Sequence, residues 1–249
     1  MRKAFYDRQV KIAEVGNRGQ ERLKNSRVMV VGVGGLGCAS STYLARAGVG
    51  TIVLVDPDRV NESDLGRQTL YAPDDVSRFK VEVAADSLQR SNPDVACQPL
   101  PVKLSESNIE LLARDCDVIV DGTDDLAPRE AMNAYALRTR VPAVFGGAVG
   151  WNGYLTVVKP GGPCFHCIWG GSDAAPRCSE AGIVGPLVGA VGCMQAVETM
   201  KLILAKGSSL SGKLVLYDGF AGCLRVVKVR RLADCPVCSI LQSKMPPGA

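Results

Sequence analysis

The ten residues VMVVGVGGLG, positions 28–37, constrain this chain more than any other stretch. An apolar run feeds directly into G-x-G-x-x-G, carried by Gly32, Gly34 and Gly37. A buried strand that turns into a helix across such glycines opens a βαβ unit built around a phosphate-bearing ligand. The first glycine permits the tight turn, the second lets phosphate approach the backbone, and the third lets the helix pack on the strand. The phosphates then lie at the positive end of the helix. Asp56 closes the next apolar run, TIVLVD, where an acid binds ribose hydroxyls. The motif alone does not distinguish a redox dinucleotide from ATP.

The rest of the chain repeats the alternation. VMVVG, TIVLVD, a segment near 97–102, DVIVDGTD and PAVFGG read as strands. CASSTYLARAG, residues 74–92, residues 106–114 and APREAMNAYALRT read as helices between them. This pattern predicts an α/β fold with a doubly wound, Rossmann-like, mostly parallel sheet. After Gly150 the pattern changes: GYLTVV, KLVLYD and CLRVVKVRR read as added antiparallel strands. A glycine-rich loop over 160–182 and a helix running to about residue 206 lie among them. The expectation is one domain over 1–249, with a nucleotide-binding half at about 1–150 and a specialised half at about 151–249.

Three residues favour ATP. Lys80 shares a helical face with Val76, Val83, Ala84 and Leu88, and an inward lysine is costly unless an anion meets it. Snorkelling from the helix end is the plain alternative. Asp124 lies just past DVIVDGT, at a strand's carboxyl end, where open α/β sheets bind ligands. A carboxylate beside phosphates calls for magnesium, unless Asp124 or Asp125 simply caps the next helix. Arg67, in SDLGRQTLY, can grip phosphate with paired donors. Nucleotidyl transfer needs this set, because charge builds on the α-phosphate and the leaving pyrophosphate.

The chain carries ten cysteines. CFHC and CPVC place Cys164, Cys167, Cys235 and Cys238 as two C-x-x-C pairs. Brought together, they form a closed tetrahedral zinc site that is structural rather than catalytic. A redox pair is the rival reading, but neither pair is expected to open a helix straight after a strand. His166, the single histidine, sits inside the first pair and reads as a loop residue or a swapped ligand. Cys178 stands apart in PRCSEAGIVGP, where Arg177 could lower its pKa and make it reactive. Cys38, Cys97, Cys116, Cys193 and Cys223 read as core.

A formal charge of +4 without a dense cationic tract argues against nucleic acid as the main partner. The opening MRKAFYDRQV lacks the apolar core of a signal peptide. The most apolar stretch, 183–197, is interrupted by Pro186 and Gln195 and is shorter than a membrane span. A cytoplasmic protein without a membrane partner is expected. Gly185, Gly189, Gly192 and Ala196 recur at helical spacing there, as a core face or a dimer contact.

Taken together, YDRQV, GVGGLG, DLGRQTLY, FKVE, DGTDD, the two cysteine pairs and CSEAGIVGPLVG resemble the ThiF/MoeB/HesA family nearly end to end. These are bacterial relatives of ubiquitin-activating enzymes. The resemblance implies an ATP-dependent adenylyltransferase that activates the C-terminal glycine of a small ubiquitin-like sulfur carrier ending in Gly-Gly. Thiamine, molybdopterin and related pathways use such enzymes, with a sulfurtransferase or cysteine desulfurase supplying sulfur. It implies that Gly32, Gly34, Gly35, Gly37 and Asp56 hold the nucleoside, with Ser63, Asp64 and Asp125 beside it. Arg67 and Lys80 would hold phosphates, and Asp124 the Mg2+. Arg8 would reach the ATP of the other subunit in a homodimer, the four paired cysteines would bind Zn2+, and Cys178 matches a cysteine that some members use covalently. Two departures add negative charge near the phosphates: Asp64 stands in place of asparagine, and Asp125 in place of the asparagine of TDN. A nicotinamide-dependent oxidoreductase with structural zinc, a carrier-binding scaffold, and a tRNA-base dehydratase of the same superfamily are the alternatives.

Overall fold

The structure is a computed structural model and describes residues 3–170, 182–206 and 210–239. Two helices, α1 (Lys3–Val10) and α2 (Gly16–Asn25), precede the first strand. Then follow β1 (Arg27–Val31), α3 (Gly35–Ala47), β2 (Thr51–Val55), α4 (Lys80–Ser91), β3 (Ala96–Leu100), α5 (Ile109–Leu112), β4 (Val118–Asp121), α6 (Leu126–Thr139) and β5 (Ala143–Val149). The antiparallel part comprises β6 (Asn152–Val158), α7 (Phe165–Trp169), α8 (Gly185–Leu204), β7 (Lys213–Asp218) and β8 (Cys223–Lys228).

All eight strands form one sheet in the order β3-β2-β1-β4-β5-β6-β7-β8. The pairs from β3 to β5 are parallel, and those from β5 to β8 antiparallel. The chain leaves β1 in one direction to β2 and later returns to its other side as β4. The crevice between the carboxyl ends of β1 and β4 is therefore the switch point where such sheets bind ligands. Strand periodicity sends Val28, Val30, Ile52 and Leu54 into one core with α3 and α4. Met29, Val31, Val53 and Val55 go into another, with α5, α6 and the paired cysteines.

Several local expectations change. The helix expected over 74–92 begins at Lys80, because Pro73–Asp75 makes a single 3-10 turn and Ser77 adopts φ +75°. Val76 is exposed, so Lys80 owes its burial to the first helical turn and not to the mid-face position read from the wheel. The helix expected over 106–114 is one turn, α5. The first cysteine pair does open a short helix, with Cys164 as the N-cap of α7. Cys38 and Cys116 are core residues, whereas Cys97, Cys193 and Cys223 are half-buried.

At 20 residues, α8 reaches the length and apolarity of a membrane span. It packs instead against α3, β5 and β6. A Cβ on Gly192 would crowd the Leu36 carbonyl of α3, so that glycine serves packing within the chain. Gly185 meets the Gly66 carbonyl in the same way, and Ala196 is buried. Gly189 faces open space and Val197 is 56% exposed, so the described residues leave this side of α8 uncovered.

Candidate active site

The glycine turn is fixed from both sides. Gly32 has φ +80°, and a Cβ there would press on the backbone of Gly122 and Thr123 after β4. The Val33 N–H donates to Asp56 Oδ2 at 2.6 Å, and its carbonyl accepts from the Tyr71 hydroxyl at 2.7 Å. Gly37 packs so tightly that a Cβ would overlap the Gly32 carbonyl. Gly35 is likewise filled from outside, by Val188 of α8. Gly34 differs. Its φ is −80°, and the nearest atom to a Cβ would be Gln68 Nε2 at 3.8 Å. None of the described residues requires glycine there, so the small residue suits a ligand that approaches the backbone. No side chain caps α3, which leaves its first N–H groups for an anion.

Asp56 is buried, and burial pushes its carboxyl up while the N–H groups of Asp58 and Val33 pull it back. Its second oxygen accepts from Asp58 N at 2.8 Å. The carboxylate therefore holds the turn in shape, with lone pairs left for ribose. Lys80, 6% exposed, faces it from the first turn of α4. The Lys80 ammonium lies 3.3 Å from Asp58 Oδ2 and 3.4 Å from Asp64 Oδ2. Burial alone would lower its pKa, but Asp56, Asp64 and Asp58 more than offset this and raise it. Arg67 donates to the exposed Ser63 carbonyl at 2.7 Å and to Asp64 Oδ1 at 3.2 Å. Asp64 also accepts from Gln68 Nε2 at 2.8 Å and from Asn61 N at 3.1 Å. Gln68 is 2% exposed, and its Oε1 has no partner among the described residues. A buried, unpartnered acceptor on a side chain that reaches Gly34 fits a ligand donor such as a hydroxyl or an amine.

Across the crevice, β4 ends in Asp121, which is fully buried. Arg129 of α6 pairs with it at 2.9 Å and also donates to the Thr123 and Gly146 carbonyls, at 2.6 and 3.0 Å. Burial drives Asp121 up to about 6 against the pull of Arg129. This pair ties the loop after β4 to β5. Asp125 takes the capping role, accepting from Ala127 N at 3.3 Å and pairing with Lys103. Asp124 is exposed, and its carboxylate accepts no hydrogen bond among the described residues. Of the three acids in this segment, it is the one left for a ligand.

The four paired cysteines converge. Their sulfurs all lie within 4.8 Å of one another, with Cys164 3.7 Å from Cys167 and 3.6 Å from Cys235, and Cys167 3.6 Å from Cys238. Zn–S bonds of about 2.3 Å give tetrahedral edges of about 3.8 Å, so the set fits that ion. Burial raises the Cys235 thiol, but the N–H groups of Cys238 and Val237 together with the Cys238 and Cys164 thiols more than reverse this. His166 stays outside the cluster. Cys178 lies outside the described residues.

Arg8 is exposed on α1. Its neighbour Gln9 bonds the Ala47 carbonyl at the far end of α3 from the glycine turn. A 13-residue helix is about 20 Å long, so Arg8 is remote from its own chain's turn.

Arg129, Asp121, Asp58 and Gln68 were not singled out from sequence. Asp121 had a signal: an acid at a strand end inside an apolar run needs a partner, whereas Asp58, between Pro57 and Arg59, had none. Arg129 had one too, three residues into a helix that follows three acids. Gln68 had none, since its burial comes from the fold.

The ThiF family model matches residues 6–237. The chain is 41% identical over 238 residues to the molybdopterin-synthase adenylyltransferase of Escherichia coli K12, covering 94% of this chain and 95% of that one. It is 38% identical over 236 residues to the sulfur carrier protein ThiS adenylyltransferase of the same organism, covering 94% of each. With the SAMP-activating enzyme E1 of Haloferax volcanii it shares 40% over 236 residues, 94% of this chain and 87% of that one. Among solved structures, E. coli MccB superposes with a TM-score of 0.82 at 22% identity, over 96% of this chain and 75% of that one, which speaks to the fold alone.

Proposed function

The chain belongs to the ThiF family, and from that premise we propose that it is an ATP-dependent adenylyltransferase of a small sulfur-carrier protein. The observation that carries the reading is Lys80: a buried ammonium at the first turn of α4, facing the acid that fixes the glycine turn. A redox dinucleotide gives such a group nothing to do.

In this reading the carrier's C-terminal glycine carboxylate attacks the α-phosphorus of ATP. The bond to the bridging oxygen breaks and pyrophosphate leaves, giving an acyl-adenylate. The uncapped N–H groups of α3 receive phosphate over Gly34, and Asp56 and Gln68 receive the ribose. Lys80 and Arg67 stabilise charge on the departing pyrophosphate. Asp124 holds magnesium, which supplies further charge stabilisation. Arg129 holds the loop bearing Asp124 in place. A sulfur donor then acts on the adenylate outside this chain.

The assembly proposed is a homodimer in the cytoplasm. Its supports are Arg8, too far from its own turn to serve it, and the uncovered apolar side of α8. Zinc in the cysteine cluster would pin the C-terminal segment to α7 without chemistry of its own. The chain is read as one domain, with residues 1–150 binding nucleotide and 151–249 binding carrier and zinc.

The test is to incubate the protein with Mg-ATP and a panel of carriers ending in Gly-Gly and weigh the products. One carrier should gain an adenylate and support ATP–pyrophosphate exchange. Binding of NADH but not ATP contradicts the reading.

A further inference from the structure

Asp64 occupies an unexpected place for a carboxylate. It is buried in the segment that carries Arg67, and it touches both cations assigned to the phosphates. One oxygen takes Arg67 and Gln68, and the other takes Lys80 and the Asn61 N–H. Around these cations stand two positive charges, Arg67 and Lys80, against three carboxylates, Asp56, Asp58 and Asp64. Asp58 is 64% exposed at its side chain, so water screens it. Asp64 is 7% exposed at its side chain, so its charge acts at close to full strength.

We propose that Asp64 is a positioning residue that stands in for phosphate in the nucleotide-free chain. It holds Arg67 and Lys80 ready in the geometry a polyphosphate needs, and it competes with that polyphosphate for them. The first effect removes the cost of ordering two long side chains when ATP arrives. The second keeps ATP affinity low and lets pyrophosphate leave quickly. The buried Oε1 of Gln68 belongs to the same arrangement. Asp64 holds the amide by its nitrogen, which lies near Gly34, and so fixes the direction of its unpartnered carbonyl oxygen as an acceptor for the nucleoside. Discrimination therefore comes from the nucleoside and the metal rather than from raw attraction for phosphate.

The proposal rests on the adenylation reading. Its test is Asp64→Asn, which keeps the shape and an acceptor oxygen but removes the charge. Affinities for Mg-ATP and for inorganic pyrophosphate are measured by calorimetry, with exchange kinetics alongside. The variant should bind each about tenfold tighter, the effect of about 1.4 kcal/mol. KM for ATP should fall, and kcat should fall with it as pyrophosphate release slows. Asp58→Asn makes the same formal change at the screened position and should alter affinity less than about threefold. Unchanged or weaker ATP binding in Asp64→Asn, or an equal gain in Asp58→Asn, overturns the proposal while leaving adenylation intact. Absence of ATP binding by the unaltered chain removes both. If Asp64→Asn does not fold, the unaltered chain still decides. Metal-free pyrophosphate should bind it no tighter than about 1 mM, and tight metal-free binding refutes the role.

Discussion

The cysteine cluster and the nucleotide crevice are built in opposite ways. The cluster joins two segments 71 residues apart through four thiols that close on one another within the second core. Its geometry is closed, and its sulfur spacing fits one tetrahedral ion. The crevice is assembled from β1, β2, β4 and the segments after them, and nearly every charged side chain in it is already bonded to another. Lys80 and Arg67 are both paired with Asp64, and Asp56 is held by the backbone N–H groups of Val33 and Asp58; among the described residues Asp124, the Gln68 carbonyl, the remaining lone pairs of Asp56 and the open space over Gly34 are left over. A structural site can be saturated by its own ligands. A site that must bind and release a substrate needs partners that can be exchanged at modest cost.

The largest expected effect lies on the cluster side. Replacing Cys235 with serine should abolish stoichiometric zinc in metal analysis. It should also lower stability by more than about 4 kcal/mol in denaturant titration, the class of loss that goes with a missing structural metal. Next comes the crevice. Lys80→Ala should cut carrier-dependent ATP–pyrophosphate exchange by roughly 10²–10³-fold while zinc content stays the same. If either variant produced the other's phenotype, the division between the two regions would fail.

A glycine pair sharpens the contrast within the crevice. Gly37→Ala forces a Cβ onto the Gly32 carbonyl and should destabilise the chain by about 1–3 kcal/mol. Gly34→Ala meets no such obstacle. It should leave thermal stability nearly unchanged and weaken ATP about tenfold in calorimetry, because the ligand alone needs that space. The smallest signal is a rescue. Arg8→Ala and Asp124→Ala should each be inactive alone, but mixing them should restore roughly a quarter of wild-type exchange through heterodimers that carry one intact site. No rescue contradicts the cross-subunit role of Arg8.

What the sequence made legible follows the same division. The glycine turn, the alternating strands and both cysteine pairs are local patterns, and local physics carries them into the structure. The start of α4 was not legible. A hydrophobic stripe from Val76 suggests a longer helix, but the left-handed Ser77, with Val76 and Phe79 in extended conformation, breaks it. The two acids after DGT could be separated only in three dimensions, where Asp125 caps α6 and Asp124 remains open. Arg129 and Gln68 owe their importance to neighbours brought in by the fold, 17 residues away at Gly146 for the first. The stripe on α8 illustrates the limit as well: Gly192 and Gly189 are equivalent in the sequence, yet one packs on α3 and the other faces outward.

The most direct test of the central claim is a crystal structure with magnesium and a non-hydrolysable ATP analogue. The triphosphate should cross Gly34 at the start of α3, within hydrogen-bonding distance of Lys80 and Arg67, with the metal on Asp124 and the ribose at Asp56. An analogue bound elsewhere, or bound with Lys80 still closed on Asp64 and away from every phosphate, would contradict the account.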